Sequence, residues 1–389
     1  MELAHLLLRL LHWSGALRHP SKPCGCYLLY SAAVVTIIGL FVVTQVAAVV
    51  DRQAGSDLDQ ATLALCVAST MCVGMCKILN ILRSEHLFLK LADEVSRQPD
   101  GLSAWEAGAW LWSRGRVRRL SAVYLSLAAS MAVTWPAAPL AVGGGALPFV
   151  ARFPFDVAAP AGYAAAFAFQ VLVVAVVGVV VPCTDLFTVS CVEHLNSLLH
   201  ILVHRVERLN ALETGARPQH ATADDKAAAV ADPLHRDLAD CVALHQRIIS
   251  EAECLNQAIG GVLLLQVVAS SAGICFLLFQ VAKKTTFHLV ETGKLLGYLT
   301  FMLSQLLFYC WFGDDMLSKS ESVSLASYRC RWPDAPTRFQ RSLLMVSMRA
   351  HRPLTLRAGK FFVFSRQAFV QVMNVSYSYF TVLRSLSEA

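Results

Sequence analysis

The sequence predicts an all-α, polytopic membrane protein with seven transmembrane helices, an inside N-terminus and long cytoplasmic helical stalks. Three observations carry this. Of 389 residues, 56% are hydrophobic and 15% charged, where soluble domains carry about a quarter charged. The apolar residues gather into seven runs near the ~20 residues that a bilayer-crossing helix needs. The basic residues lie between those runs, so the net charge of +6 acts as a topology signal. Mean hydropathy is +0.52. These figures exclude a disordered chain, a small disulfide scaffold and a nucleic-acid binder, since no polar face collects the basic residues.

Leu3 to Trp13 has apolar residues at helical spacing around Arg9 and His12. It is too short to span and reads as an interfacial helix ended by Pro20 and Pro23. No basic stretch precedes it, so no cleavable signal peptide is expected. The spans follow as Tyr27–Val50, Ala61–Leu82, Leu120–Val142, Ala161–Phe187, Ile259–Ala282, Leu295–Phe312 and Phe361–Leu386. Trp135-Pro136 and Pro139 are expected to break the third. Arg83–Arg119, Val189–Gln257 and Gly313–Lys360 are long connections. Leu195, Leu198, Leu199, Leu202, Val206 and Leu209 keep a 3.6 period, so the helices should continue beyond the membrane as amphipathic stalks. Glu213–Ala231 reads as a flexible linker. The expected organisation is an N-terminal interfacial segment (1–26), a six-helix bundle with stalks (27–312), cytoplasmic anchor helices (313–360) and the last helix with an extracellular C-terminus (361–389).

The N-terminal stretch and long connections carry 25 Lys and Arg, and the short connections carry five. The positive-inside rule therefore places the N-terminus and stalks in the cytoplasm, the inverse of a G-protein-coupled receptor. All twelve cysteines fall in spans or on the cytoplasmic side, so no extracellular disulfide is expected. Cys24-Gly25-Cys26 at the membrane edge is a candidate lipidation site, with ordinary interfacial cysteines the plainer reading. No Walker A, GxGxxG, GxSxG or HExxH element occurs, so an enzyme has no residues to stand on. No paired Cys/His ligands suit a metal. His194, His200 and His204 beside Glu193 read as a solvated stalk face. Asp185 is expected at the cytoplasmic interface, as a helix cap or paired with a stalk arginine.

The seventh span is the informative one. Gln371, Val375, Ser378, Val382 and Leu386 form one helical stripe, flanked by Asn374, Thr381 and Ser385. Such polar residues suit neighbouring helices or water rather than lipid. Symmetry-related copies would line a pore that Val382 and Leu386 could close by dewetting. The alternative is hydrogen bonding to other helices within one bundle.

Ser376-Tyr377-Ser378-Tyr379-Phe380-Thr381-Val382-Leu383-Arg384 resembles the C-terminal signature of insect odorant receptors. So do Tyr309-Cys310-Trp311-Phe312-Gly313-Asp314 with Tyr328 and Trp332, Phe153-Pro154-Phe155-Asp156 with Tyr163, and the Cys241–Cys275 stretch with His245 and Leu255-Asn256. The resemblance covers essentially the whole chain and is to an odorant-tuning subunit, not the shared co-receptor. It implies a tetrameric, ligand-gated, non-selective cation channel at the plasma membrane, a heterotetramer with the odorant co-receptor. The last helix would line the pore, with the gate at Val382 and Leu386 and with Gln371, Val375, Ser378 and Ser385 along it. A volatile odorant would sit among spans two, three, four and six. The implied positions are Ala68 and Cys72; Ala128, Met131 and Trp135; Phe167, Phe169 and Gln170; and Tyr298, Phe301, Met302 and Gln305. No cofactor or nucleic-acid partner is implied. The rival readings are a gustatory receptor channel of the same fold, a G-protein-coupled receptor lacking its usual motifs here, and a transporter without an inverted repeat.

Overall fold

In the computed structural model the apolar runs become helices, four of which, at 39, 48, 61 and 41 residues, are much longer than a bilayer crossing needs. Residues 2–17, 24–51, 58–99, 101–142, 145–209, 223–283 and 289–388 are described. In chain order they form α1 (Glu2–Trp13), α2 (Cys24–Asp51), α3 (Leu58–Arg83), α4 (Glu85–Ser96), α5 (Ala104–Val142), α6 (Pro160–Glu207), α7 (Ala223–Lys283), α8 (Leu289–Arg329), α9 (Thr337–Ala350), the strands β1 (Arg357–Ala358) and β2 (Phe362–Val363), and α10 (Arg366–Glu388). Among these residues six helices, α2, α3 and α5 to α8, are long and apolar enough to cross a membrane. The seventh expected span, α10, has the length at 23 residues. Gln367, Gln371, Asn374 and its serines dilute its apolarity.

The 48-residue α6 is the axis of the molecule. It packs against α3, α5 and α8 and also against α1, α4 and α7. From Val180 to Leu199 every residue is buried. The stretch is not uniformly apolar: it buries Asp185, Glu193, His194 and Asn196 along with its valines and leucines, and polar groups at that depth take partners from the surrounding helices.

Four sequence expectations are corrected. α5 runs unbroken through Pro136 and Pro139. Each proline forgoes one backbone bond to the carbonyl four residues back, a loss that membrane helices tolerate where neighbouring helices and local adjustment re-satisfy the freed group. The expected flexible linker is helical from Ala223, where α7 begins; its earlier part lies outside the described residues, as does the Cys24 side chain. Glu193 and His194 are buried, not solvated. Glu193 accepts from Ser113 Oγ at 2.7 Å and pairs with Arg116 at 2.6 Å. His194 Nε2 lies 3.2 Å from Glu251. The helix of the seventh span starts at Arg366, because Phe361–Val363 belongs to a hairpin instead.

That hairpin pairs Arg357 with Val363 and Ala358 with Phe362. Gly359 turns it at φ +61°, a conformation open to glycine at little cost. Its amide donates to Gly260 O of α7 at 2.8 Å. Asn256 clasps the same strand, donating to Thr355 O and accepting from Arg357 N, both at 2.9 Å. Asp314 accepts the Arg366 amide at 3.1 Å and pairs with its guanidinium at 2.8 Å. A carboxylate at a helix N-terminus satisfies a free N–H and favours the dipole. A Cβ on Gly313 would meet Phe364 O at 2.8 Å, so only glycine allows this close neck. The motif residues Asn256, Gly313 and Asp314 thus set where α10 begins.

Candidate functional site

Two features stand out: an apolar cavity within the bundle and the exposed face of α10. The cavity, of about 100 Å³, lies among α3, α5, α6 and α8. Each helix contributes one face. Val67, Thr70 and Met71 come from α3; Ala128, Met131, Ala132 and Trp135 from α5; Val174, Val177, Gly178 and Val181 from α6; and Tyr298 and Phe301 from α8. Phe149, from the α5–α6 connection, closes one end and stacks on Trp135 at 4.8 Å between centroids. Tyr298 meets the same indole edge-on at 5.6 Å, and Lys294 Nζ lies 4.9 Å from its centre. Gln170 is fully buried and holds Phe149 by both backbone groups, each at 3.0 Å.

The lining is almost wholly hydrocarbon. Its two hydroxyls, Thr70 Oγ1 and Tyr298 Oη, lie 2.6 Å apart, and Thr70 also donates to Cys66 O at 3.2 Å. Such a space takes a small apolar molecule and can orient one polar group against the Thr70–Tyr298 pair.

Of the twelve residues implied as ligand contacts, Ala128, Met131, Trp135, Tyr298 and Phe301 line the cavity. Seven lie elsewhere. Ala68 is buried and Cys72 half-buried on α3, each next in sequence to a lining residue. Phe167 packs on Tyr163, and Phe169 packs on Phe41 and Phe153, toward the loop end of α6. Gln170 shapes the Phe149 loop. Met302 is buried close to Gly273 of α7. Gln305 bonds to Asp185 and Gln266. The sequence reading passed over Val67, Thr70 and Met71, and Val174, Val177, Gly178 and Val181. Both sets follow an i, i+3, i+4 pattern, but in spans this apolar the faces carry no polar contrast.

Asp185 also departs from expectation. It is 2% exposed, and its partner is Lys77 of α3 rather than a stalk arginine.

On α10, Ala368, Val372 and Ser376 are buried and face α7 and α8. Ser376 Oγ donates to Ser271 O of α7 at 3.1 Å. The expected stripe lies on other faces: Gln371, Val375, Ser378, Val382 and Ser385 are all exposed, with Asn374 and Thr381. The Leu386 side chain lies outside the described residues. The hydroxyls of Ser378, Thr381 and Ser385 turn back to carbonyls of their own helix, at 2.8–2.9 Å. Among the described residues they bond to no other helix of the bundle. Tyr377 and Tyr379 are also about 60% exposed.

Comparison with known proteins gives a consistent answer. The family profile described as 7tm Odorant receptor matches residues 57–377. Odorant receptor Or2 of Anopheles gambiae is 28% identical over 271 residues, 69% of each chain. The odorant receptor coreceptor of Aedes aegypti is 28% identical over 142 residues, 36% of this chain and 30% of its own. The fold matches the insect olfactory receptor OR5 from Machilis hrabei, solved in complex with eugenol, with TM-score 0.82, 14% identity and coverage of 99% of this chain and 98% of that one. A profile spanning most of the chain, on a multi-pass helical fold of this kind, shows that the chain belongs to the 7tm odorant receptor family.

Proposed function

We propose that the chain is an odorant-tuning subunit of a ligand-gated, non-selective cation channel in the plasma membrane. It assembles as a heterotetramer with the odorant co-receptor, N-terminus inside and C-terminus outside. The observation that carries this is the exposed polar stripe of α10. A helix among membrane spans has no use for Gln371, Asn374, Ser378 and Thr381 facing lipid. Four last helices around an axis, from this chain and the co-receptor together, bring those faces to water, with the Val382 and Leu386 positions as this chain's part of the apolar constriction.

The cavity beside Trp135 is the odorant site in this reading. The exposed apolar side chains Leu344, Met345 and Met348 of α9 supply the inter-subunit anchor on the cytoplasmic side. Odorant shifts the gate only by binding the open arrangement more tightly than the closed one.

Whole-cell recording tests this in cells expressing the chain alone or with an insect odorant co-receptor, exposed to a panel of volatiles. Odorant-evoked cation current on co-expression that survives G-protein blockade is the expected result. Current abolished by that blockade would overturn the channel reading.

A further inference from the structure

Lys77 and Asp185 are opposite charges inside two apolar spans, each side chain 4% exposed. Ions at that depth are costly to desolvate, and apolar substitutes often stabilise a fold equally well. Fold stability alone is therefore a weak reason for the pair. The surroundings of Asp185 suggest another.

Its carboxylate accepts from four donors on three helices: Lys77 of α3, Tyr124 of α5 at 2.9 Å, and Gln305 and Tyr309 of α8, the latter at 2.5 Å. On one side these partners reach the cavity. The Tyr124 ring stacks on that of Phe301, 5.1 Å between centroids and 12° from parallel, and Phe301 lines the cavity. On the other side they reach α10 by two routes. Gln305 accepts from Gln266 of α7 at 2.9 Å, which also donates to Ser270, and the adjacent Ser271 is bonded to Ser376 of α10. The Tyr309 ring packs 5.5 Å from Phe364, whose chain turns directly into α10.

We propose that Lys77 and Asp185 are positioning residues that couple the odorant cavity to the last helix. They act by fixing Tyr124 against Phe301 and Gln305 and Tyr309 toward α10. This rests on the channel reading above. The carboxylate holds its donors in one arrangement. A ligand that tilts Phe301 moves Tyr124, and the remaining donors must re-register around the same anion. A neutral side chain in its place would let the two sides move independently.

The test uses Asp185→Asn, Lys77→Met and the double variant, co-expressed with the co-receptor and compared at matched surface protein. The readouts are maximal open probability under a saturating volatile agonist and the agonist-induced thermal shift of the purified channel. We expect each single variant to lose at least about fivefold in maximal open probability, the low end of measured allosteric coupling, with the thermal shift retained. The double variant removes both charges and keeps an acceptor for the tyrosines, so it carries the test should a single variant fail to reach the surface. A structural role restores its surface level and current together, whereas coupling restores the surface level alone. Unaltered maximal open probability in the variants, or loss in proportion to the thermal shift, overturns the proposal while the channel reading stands. Absence of evoked current from the unmodified chain with its co-receptor defeats both.

Discussion

Tyr298→Phe is the most informative substitution in the cavity, because its magnitude can be worked from the geometry. The change removes one hydroxyl and leaves the ring that lies edge-on to Trp135. Thr70 loses its 2.6 Å partner but keeps Cys66 O at 3.2 Å, so no buried donor is orphaned and the fold is little disturbed. An odorant hydroxyl seated against the pair loses one neutral hydrogen bond, worth about 0.5–1.5 kcal/mol net. With tenfold per 1.4 kcal/mol, the half-maximal concentration rises about 2- to 12-fold. A hydrocarbon of the same skeleton makes no such bond and should hold its value. The assay is a pair of concentration–response curves, alcohol against hydrocarbon, with the co-receptor present. Equal shifts for both ligands, or none for the alcohol, would refute the idea that the Thr70–Tyr298 pair reads the odorant's polar group.

Three further outcomes are expected. Val382→Ala should raise the resting current in the absence of odorant by weakening an apolar constriction; unchanged leak at matched surface expression removes Val382 from the gate. Trp135→Ala should alter odorant tuning and also lower surface expression, because deleting a buried tryptophan costs about 3–5 kcal/mol. Trp135→Phe should keep expression and still change tuning, as read from agonist rank order; an unchanged order excludes the indole from recognition. In the stalk, burial and the nearby Arg349 hold buried His245 below the ordinary imidazole pKa of 6.5. The unfolded ring gains a proton below that value and the folded ring resists it, so stability falls as pH drops through this range. Glu251 acts in the same direction at lower pH: burial opposes its ionisation, but His194 and Arg247 outweigh burial and hold its pKa down. The thermal midpoint of the solubilised protein should therefore be lower at pH 5.5 than at 7.5, with the gap narrowed by His245→Leu; an equal gap in the variant assigns the effect elsewhere.

The sequence made the helical spans legible because a bilayer imposes a length and an apolarity that any window reveals. It made the α10 stripe legible because polar residues there recur at helical spacing against apolar ones. The facing of α3 and α6 toward the cavity stayed hidden. With valine, alanine and leucine on every side, Val67 and Ala68, or Val177 and Val176, look alike until neighbours are placed. Lys77 and Asp185 were each visible, but 108 residues separate them and no local pattern joins them. The hairpin before α10 was missed because Phe361–Phe364 is as apolar as a span. Gly359 was the signal that the chain turns there.

Cysteine accessibility at Ser378 tests the central claim most directly. In excised patches carrying Ser378→Cys with the co-receptor, a membrane-impermeant thiol reagent is applied with and without odorant. A pore lined by α10 predicts block of the evoked current, faster when odorant is present and absent in the unsubstituted chain. Robust odorant-evoked current that the reagent leaves untouched at Ser378, Val382 and Gln371 alike would place the conduction path elsewhere and contradict the account.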